Sequence, residues 1–206
     1  MNTNSSKKDL IEHIKQYAPY DNTEKIEKNR FLNFLENNQN VYSRQNLTGH
    51  LTASSWIVNQ DFSQALLIHH NIYNCWAPLG GHADNHTNLP EVAIQEAKEE
   101  SGLNELTLIN DDILDLSVML VQPHQKRGKH VPLHLHFDIR YLLQADNNQP
   151  LKIAEKEVSA VKWFSTDEIT KLDIDIMPVV KRVIKKSLAN KYRKLSNPSP
   201  KHSLKR

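Results

Sequence analysis

The stretch Gly80-Gly81-His82-Ala83-Asp84-Asn85-His86-Thr87-Asn88-Leu89-Pro90-Glu91-Val92-Ala93-Ile94-Gln95-Glu96-Ala97-Lys98-Glu99-Glu100-Ser101-Gly102-Leu103 decides how the chain is read. Glu96, Glu99 and Glu100 stand at i, i+3 and i+4, a spacing that puts three carboxylates on one face of a helix. That helix is predicted over Leu89–Ser101. Asn88 and Glu91 have the spacing of an N-cap and its reciprocal partner, and Gly102 stands where a left-handed C-terminal cap is expected. The acids occupy the last two turns, where the helix dipole already disfavours negative charge. Crowding anions there costs stability unless a cation is bound, and an oxygen-rich anionic site suits Mg²⁺ or Mn²⁺. An isolated Glu-Glu pair would ordinarily be a solvated helix end. Here a glycine-containing loop, Pro78-Leu79-Gly80-Gly81, leads in and a glycine stop follows.

Outward from this segment the periodicity alternates between strand and helix. Leu51–Val58 and Ala65–His70 read as strands of a hairpin turning at Asn59-Gln60-Asp61. Leu114–Val121, Leu133–Leu143 and Val158–Phe164 are further strands. Thr166 is expected to cap a short helix, and Met177–Ala189 forms a final amphipathic one. Towards the N-terminus, Leu10, Ile11, Ile14 and Tyr17 follow helical spacing up to Pro19. A second amphipathic helix covers Asn22–Asn37, with Ile26, Phe31, Phe34 and Leu35 on its apolar stripe, Leu32 widening it, and Asn22 or Thr23 as N-cap. One helix embedded between strand pairs argues for a single α/β sandwich. Residues 1–45 are expected to form a helical extension packed on a main domain at 46–189. Residues 190–206, polar, basic and proline-containing, are expected to be a disordered tail.

The bulk composition agrees with that organisation. The 206 residues are 38% hydrophobic and 24% charged, ordinary for a soluble domain. No apolar run approaches the roughly 20 residues needed to span a bilayer, and the polar start Met1–Lys8 lacks the apolar stretch of a secretory signal. Cys75 is the sole cysteine, which rules out an internal disulfide. A cytoplasmic location is the expectation. Of the formal net charge of +2, six positive charges (Lys191, Arg193, Lys194, Lys201, Lys205, Arg206) lie in an acid-free terminus, so the rest of the chain carries −4. A nucleic-acid-binding domain would carry its positive charge on the fold; neither nucleic acid nor membrane is the expected partner.

The glycine–helix segment resembles the Nudix box, G-x5-E-x7-R-E-U-x-E-E-x-G-U with U apolar. Gly81 takes the first position, Glu96 the central glutamate, Ala97 the apolar site, Glu99-Glu100 the acidic pair and Gly102-Leu103 the end. The resemblance implies an α/β/α sandwich with a mixed sheet, and a loop–helix–loop whose glutamates bind divalent metal and orient or activate water. It adds the Gly80 carbonyl as a metal ligand and Glu157, in the stretch before Trp163, as a further metal-binding or water-positioning acid. Thr87 replaces the first glutamate of the box and Gln95 its arginine. These two changes remove opposite charges, and a Thr87–Gln95 hydrogen bond would be their neutral replacement.

Outside the box, His134, His136, Asp138 and Arg140 alternate along one strand and share a sheet face, while Leu135, Phe137, Ile139 and Tyr141 fill the other. The polar set reads either as the lining of a substrate pocket or as an exposed edge with a structural His–Asp hydrogen bond. A His-x-His zinc site lacks an evident third ligand. Lys126 and Arg127, with Lys129 and Gly128, form a loop that could hold substrate phosphates. His82, Asp84 and Trp76 stand where they would shape the pocket.

The reaction the resemblance implies is attack by an activated water on phosphorus in a phosphoanhydride, with a nucleoside diphosphate linked to another group as substrate. Two rivals differ in class. A prenyl diphosphate isomerase of similar fold would place a cysteine in a Cys-Gly-His loop, where this chain has Gly80-Gly81-His82. A non-catalytic nucleotide sensor would have lost acids that this chain keeps. The oligomeric state is open, a homodimer being one option.

Overall fold

The hairpin expected around Asn59–Asp61 forms in the computed structural model, which describes residues 3–71, 73–126, 128–153, 158–172 and 177–196. Its strands are β1 (Gly49–Val58) and β2 (Gln64–His70), paired antiparallel with Ile57 opposite Leu66. The short strands β3 (Cys75–Ala77) and β4 (Leu79–His82) follow, then helix Leu89–Ser101, which is α3 of the chain. After β5 (Thr107–Leu108) come β6 (Asp115–Val121), a small hairpin of β7 (His124–Lys126) and β8 (Lys129–Val131), then the long β9 (His134–Gln144) and β10 (Val158–Ser165). The main sheet runs β10-β2-β1-β9-β5, with β3 on β2, β4 on β1 and β6 on β9. The β1–β9 pairing is parallel and the others are antiparallel, so the sheet is mixed.

Helices cover both faces. Leu51, Ala53 and Ile57 of β1, with Phe137, Ile139 and Tyr141 of β9, form one core with Ala93 and Ala97 of α3. Trp56 and Leu142 point the other way, into a second core with Ile169 of α4 (Thr166–Lys171) and Val180, Val183 and Ile184 of α5 (Val180–Ser196). Trp76 packs edge-on against Phe164, so its ring belongs to this second core's packing.

The N-terminal helices α1 (Thr3–Gln16) and α2 (Asn22–Asn37) join the first core. Phe34 stacks on Phe137 at 3.9 Å between ring centroids, and Phe31 meets the same ring edge-on at 5.3 Å. Burying two such rings contributes roughly 1.5–3 kcal/mol each. The fully buried Glu24 carboxylate adds a polar anchor. It accepts from Lys186 Nζ of α5 at 2.6 Å, from the Leu116 amide of β6 at 3.2 Å, from the Tyr20 amide at 2.6 Å and from the Tyr17 hydroxyl. Burial, then the neighbouring Glu24 charge, pushes the Tyr17 hydroxyl far above its usual range, which keeps it a proton donor there.

Several local expectations are corrected. The cap of α2 is Asp21, not Asn22 or Thr23. Its backbone is extended and its carboxylate accepts from the Glu24 amide at 2.8 Å, the favourable sign at a helix start. Ser165 rather than Thr166 caps α4, through a full capping box with Glu168. Pro78–Gly81 is no mere loop, because Leu79–His82 pairs with β1. A Cβ on Gly80 would lie 2.5 Å from Ser54 Cβ, so this glycine permits close strand pairing. Helix α5 starts at Val180, later than Met177, and runs past Ala189 to Ser196. The 190–196 part of the expected disordered tail is therefore helical. Basic residues are favoured at a helix C-terminus by the dipole, and Lys, Arg and Leu are good helix formers. Residues 197–206 lie outside the described residues.

Candidate active site

Helix α3 is bounded as its sequence dictates. The Asn88 side chain accepts from the Glu91 amide, Pro90 sits in the first turn, and Gly102 caps the end with φ +73. A side chain at Gly102 would also meet Lys152, since a Cβ there would lie 2.6 Å from Lys152 Cβ. The caps fix which turns face strand β4. There the Gly80 amide donates to Glu100 Oε2 at 2.9 Å. Glu96 packs so tightly on the next residue that a Cβ on Gly81 would lie 2.2 Å from the Glu96 carboxyl carbon. Glu99, the most outward of the three, accepts from Gln95 Nε2 at 2.6 Å.

Gln95 thus spends its amide on Glu99, one helical turn on, rather than on Thr87 as the neutral replacement for a lost ion pair would require. The box's missing arginine is answered within the acidic cluster itself. Glu96, Glu99 and Glu100 are hard-oxygen donors at the negative end of a helix, though among the described residues the structure does not draw the three into one ligating cluster. This chemistry fits a small divalent cation such as Mg²⁺. Glu157 and Arg127 lie outside the described residues, and Lys126 ends β7 opposite Lys129.

The four alternating residues of β9 do share a face, and the structure divides them. Asp138 and Arg140 are only 2% and 1% exposed. Asp138 accepts from Thr52 Oγ1 at 2.9 Å, from Ser54 Oγ at 2.6 Å and from Arg140 at 2.7 Å. Arg140 also reaches Asp115 at 3.2 Å, and Asp115 in turn holds Arg182 of α5 at 2.7 Å. Burial alone would raise the Asp115 carboxyl, but Arg182, Arg140 and Lys186 hold it below the usual range. These two β9 residues form an interior ion-pair network, whereas the sequence pattern allows either a pocket lining or an exposed edge with a structural His–Asp hydrogen bond. The parallel β1–β9 pairing sets hydroxyls of β1 beside Asp138, and Asp115 of β6 with Arg182 of α5 completes the network.

His134 and His136 lie nearer the start of β9, where they meet two histidines from other strands. His50 of β1 is the register partner of His136, and His82 of β4 is the partner of Thr52 on the same face. Ring centroids are 4.9 Å apart for His50–His136 and His50–His134, 5.1 Å for His50–His82 and 4.8 Å for His82–His136. Burial, then the neighbouring His134, lowers His50 to about 4. Burial, then His82 and His50, lowers His136 to about 2. Both are neutral imidazoles at ordinary pH. At the rim, Arg44 forms an ion pair with Asp84. The sequence reading passed over His50 and placed His82 only in the pocket wall. The available signal was the alternation His50, Thr52, Ser54, which mirrors His136, Asp138, Arg140.

Comparison with known proteins places this geometry. The family model described as NUDIX domain matches residues 49–186. The Escherichia coli dihydroneopterin triphosphate pyrophosphohydrolase superposes with a TM-score of 0.54 at 18% identity, over 73% of this chain and 99% of that one. A Caenorhabditis elegans Ap4A hydrolase in a binary complex gives 0.51 at 19% identity, over 68% and 96%. At such identities the two structures show the shared fold. No curated protein matches the chain.

Proposed function

Because the chain belongs to the NUDIX family, we propose that it is a divalent-metal-dependent pyrophosphohydrolase that cleaves a phosphoanhydride bond in a nucleoside diphosphate linked to another group. The observation that carries this reading is the locking of the α3 carboxylates against β4, through Gly80 N–H to Glu100 and the Glu96–Gly81 contact. Glu96, Glu99, Glu100, the Gly80 carbonyl and Glu157 would hold the ion. When bound, it supplies neutralisation of phosphoryl oxygen charge and a more acidic water. The chain's own part is orientation and proton transfer. A glutamate of the cluster takes the proton of the attacking water, while the cap at Gly102 and the β4 contacts keep the carboxylates in place. Lys126, at the end of β7, and Arg127 are the proposed charge partners of the substrate phosphates.

The test is a panel of nucleoside diphosphate conjugates incubated with the protein in Mg²⁺ or Mn²⁺, with and without chelator. Turnover is expected with metal, none in excess chelator, and a fall of roughly 10²–10⁴-fold in E99Q/E100Q. Tight binding of a conjugate without turnover would overturn the enzymatic reading in favour of a sensor.

A further inference from the structure

On the opposite face of β4 from the glutamates, the ligating atoms of His50, His82 and His136 all lie within 4.8 Å of one another. They come from β1, β4 and β9, strands far apart in sequence and joined only by the sheet. Two nitrogens bound to one tetrahedral zinc, each at 2.0–2.1 Å, stand about 3.3 Å apart. The three rings would reach that geometry by side-chain adjustment within the cluster.

A second observation is independent of this convergence. His50 is 4% exposed, and neither of its ring nitrogens makes a well-formed hydrogen bond among the described residues, although the Asn46 backbone bears on one of them. A neutral imidazole carries one N–H and one lone pair; the Asn46 backbone carbonyl suits the N–H, and leaving the buried lone pair unanswered is costly. Its ring faces His82, His134 and His136, so what would answer it belongs in the space they share. An ion there would take the lone pair.

His134 stands behind the trio in the arrangement that orients a ligand. Its Nδ1 lies 2.8 Å from the Pro132 carbonyl oxygen, which makes Nδ1 the protonated nitrogen. Its Nε2 is then an acceptor, 3.1 Å from Nε2 of His136. The proton between them belongs to His136, whose Nδ1 is left with its lone pair. A ligating histidine normally donates its other ring N–H to such a partner.

We propose that His50, His82 and His136 form a transition-metal site of the zinc class, separate from the carboxylate site of α3 and oriented by His134. Neutral imidazoles suit Zn²⁺, Co²⁺, Ni²⁺ or Cu²⁺, whereas Mg²⁺ prefers oxygen, so the two sites sort ions by ligand chemistry. Bound metal would staple β4 to β1 and β9 just beyond the glycines on which Glu96 and Glu100 rest. Arg44, whose charge bears on His136, is already ion-paired with Asp84.

Co²⁺ tests the site, since it takes zinc's place and reports its geometry by visible absorption. The full-length, chelator-stripped protein is titrated with Co²⁺ in excess Mg²⁺, which occupies the carboxylates. One equivalent should bind with a tetrahedral-type spectrum, Zn²⁺ should displace it, and E99Q/E100Q should leave the signal unchanged. H82N and H136N should each weaken binding by more than the roughly 10–100-fold typical of an outer-shell partner. Circular dichroism checks their folding, and H82N, altered at a partly exposed side chain, serves if H136N does not fold. In the unsubstituted protein, Zn²⁺ should shift the ring resonances of four histidines. A spectrum absent in excess Mg²⁺, lost in E99Q/E100Q, or undiminished in folded H82N would overturn the proposal.

Discussion

The two faces of strand β4 solve opposite problems with charge. On the α3 face, three carboxylates lie near a helix end and remain partly or fully exposed, Glu100 accepting from the Gly80 amide and Glu99 from the Gln95 side chain. On the other face, polar groups are buried, and they are tolerated either as neutral imidazoles or as ion pairs such as Asp138–Arg140–Asp115. The difference follows from desolvation. Burying uncompensated anions costs several kcal/mol each, so a carboxylate cluster that waits for a cation must stay near water. An imidazole gives up its charge instead and can be enclosed. The comparison teaches that exposure on one face and burial on the other are both consequences of what each group does without its ligand.

Removing a charge from each face should therefore have opposite signs. The largest effect is expected from R140M, which keeps the side-chain bulk but strips a buried partner from Asp138 and Asp115. Urea denaturation should show a loss of about 3–5 kcal/mol. A loss below 1 kcal/mol would mean that Thr52, Ser54 and Arg182 satisfy the two acids alone, and that the network on this face is dispensable.

An intermediate effect is expected at the boundary between the faces. G81A places a methyl where the Glu96 carboxylate now sits, so either the acid or the strand must move. Overpacking should cost about 1–3 kcal/mol. Hydrolysis should fall far more than stability does, because the displaced group is one the proposed reaction uses. Equal activity at saturating Mg²⁺ would show that Glu96 can be re-seated and that the tight contact is incidental.

The smallest effect carries the opposite sign. In metal-free protein, E99Q/E100Q relieves like-charge crowding at the negative end of α3. It should raise stability by a few tenths to about 1 kcal/mol. The substitution keeps an oxygen able to accept from Gly80 and from Gln95. Thermal melts in chelator measure it, and a destabilised variant would show that these carboxylates hold the fold together as well as awaiting a cation.

Much of this was legible before the structure. Period and capping fixed α3 to its terminal residues, because Asn88, Pro90 and Gly102 act within one turn of where they stand. The same locality made β1, β2, β9 and the polar face of β9 readable, and the acids of α3 recognisable as a set. Caps misplaced by one or two residues, at Asp21 and Ser165, were close competitors of the same chemistry. The glycine stretch misled in a more instructive way. Glycine signals freedom in a sequence, yet at Gly80 and Gly81 its role is the absence of a side chain against Ser54 and Glu96, which depends on what lies across the gap.

The sequence by itself determined the elements, the carboxylate spacing and the family resemblance, since each rests on residues close along the chain. Only the tertiary structure decided which polar groups are buried and which of them meet. The parallel registration of β1 on β9 joins His50 to His136 and Thr52 to Asp138, and β4 then brings His82 to the same face. No local pattern encodes that pairing, because strand partners are chosen by the closing of long loops around a shared core. The same polar alternation on β9 thus became an ion-pair network at Asp138 and Arg140 and a histidine cluster at His134 and His136.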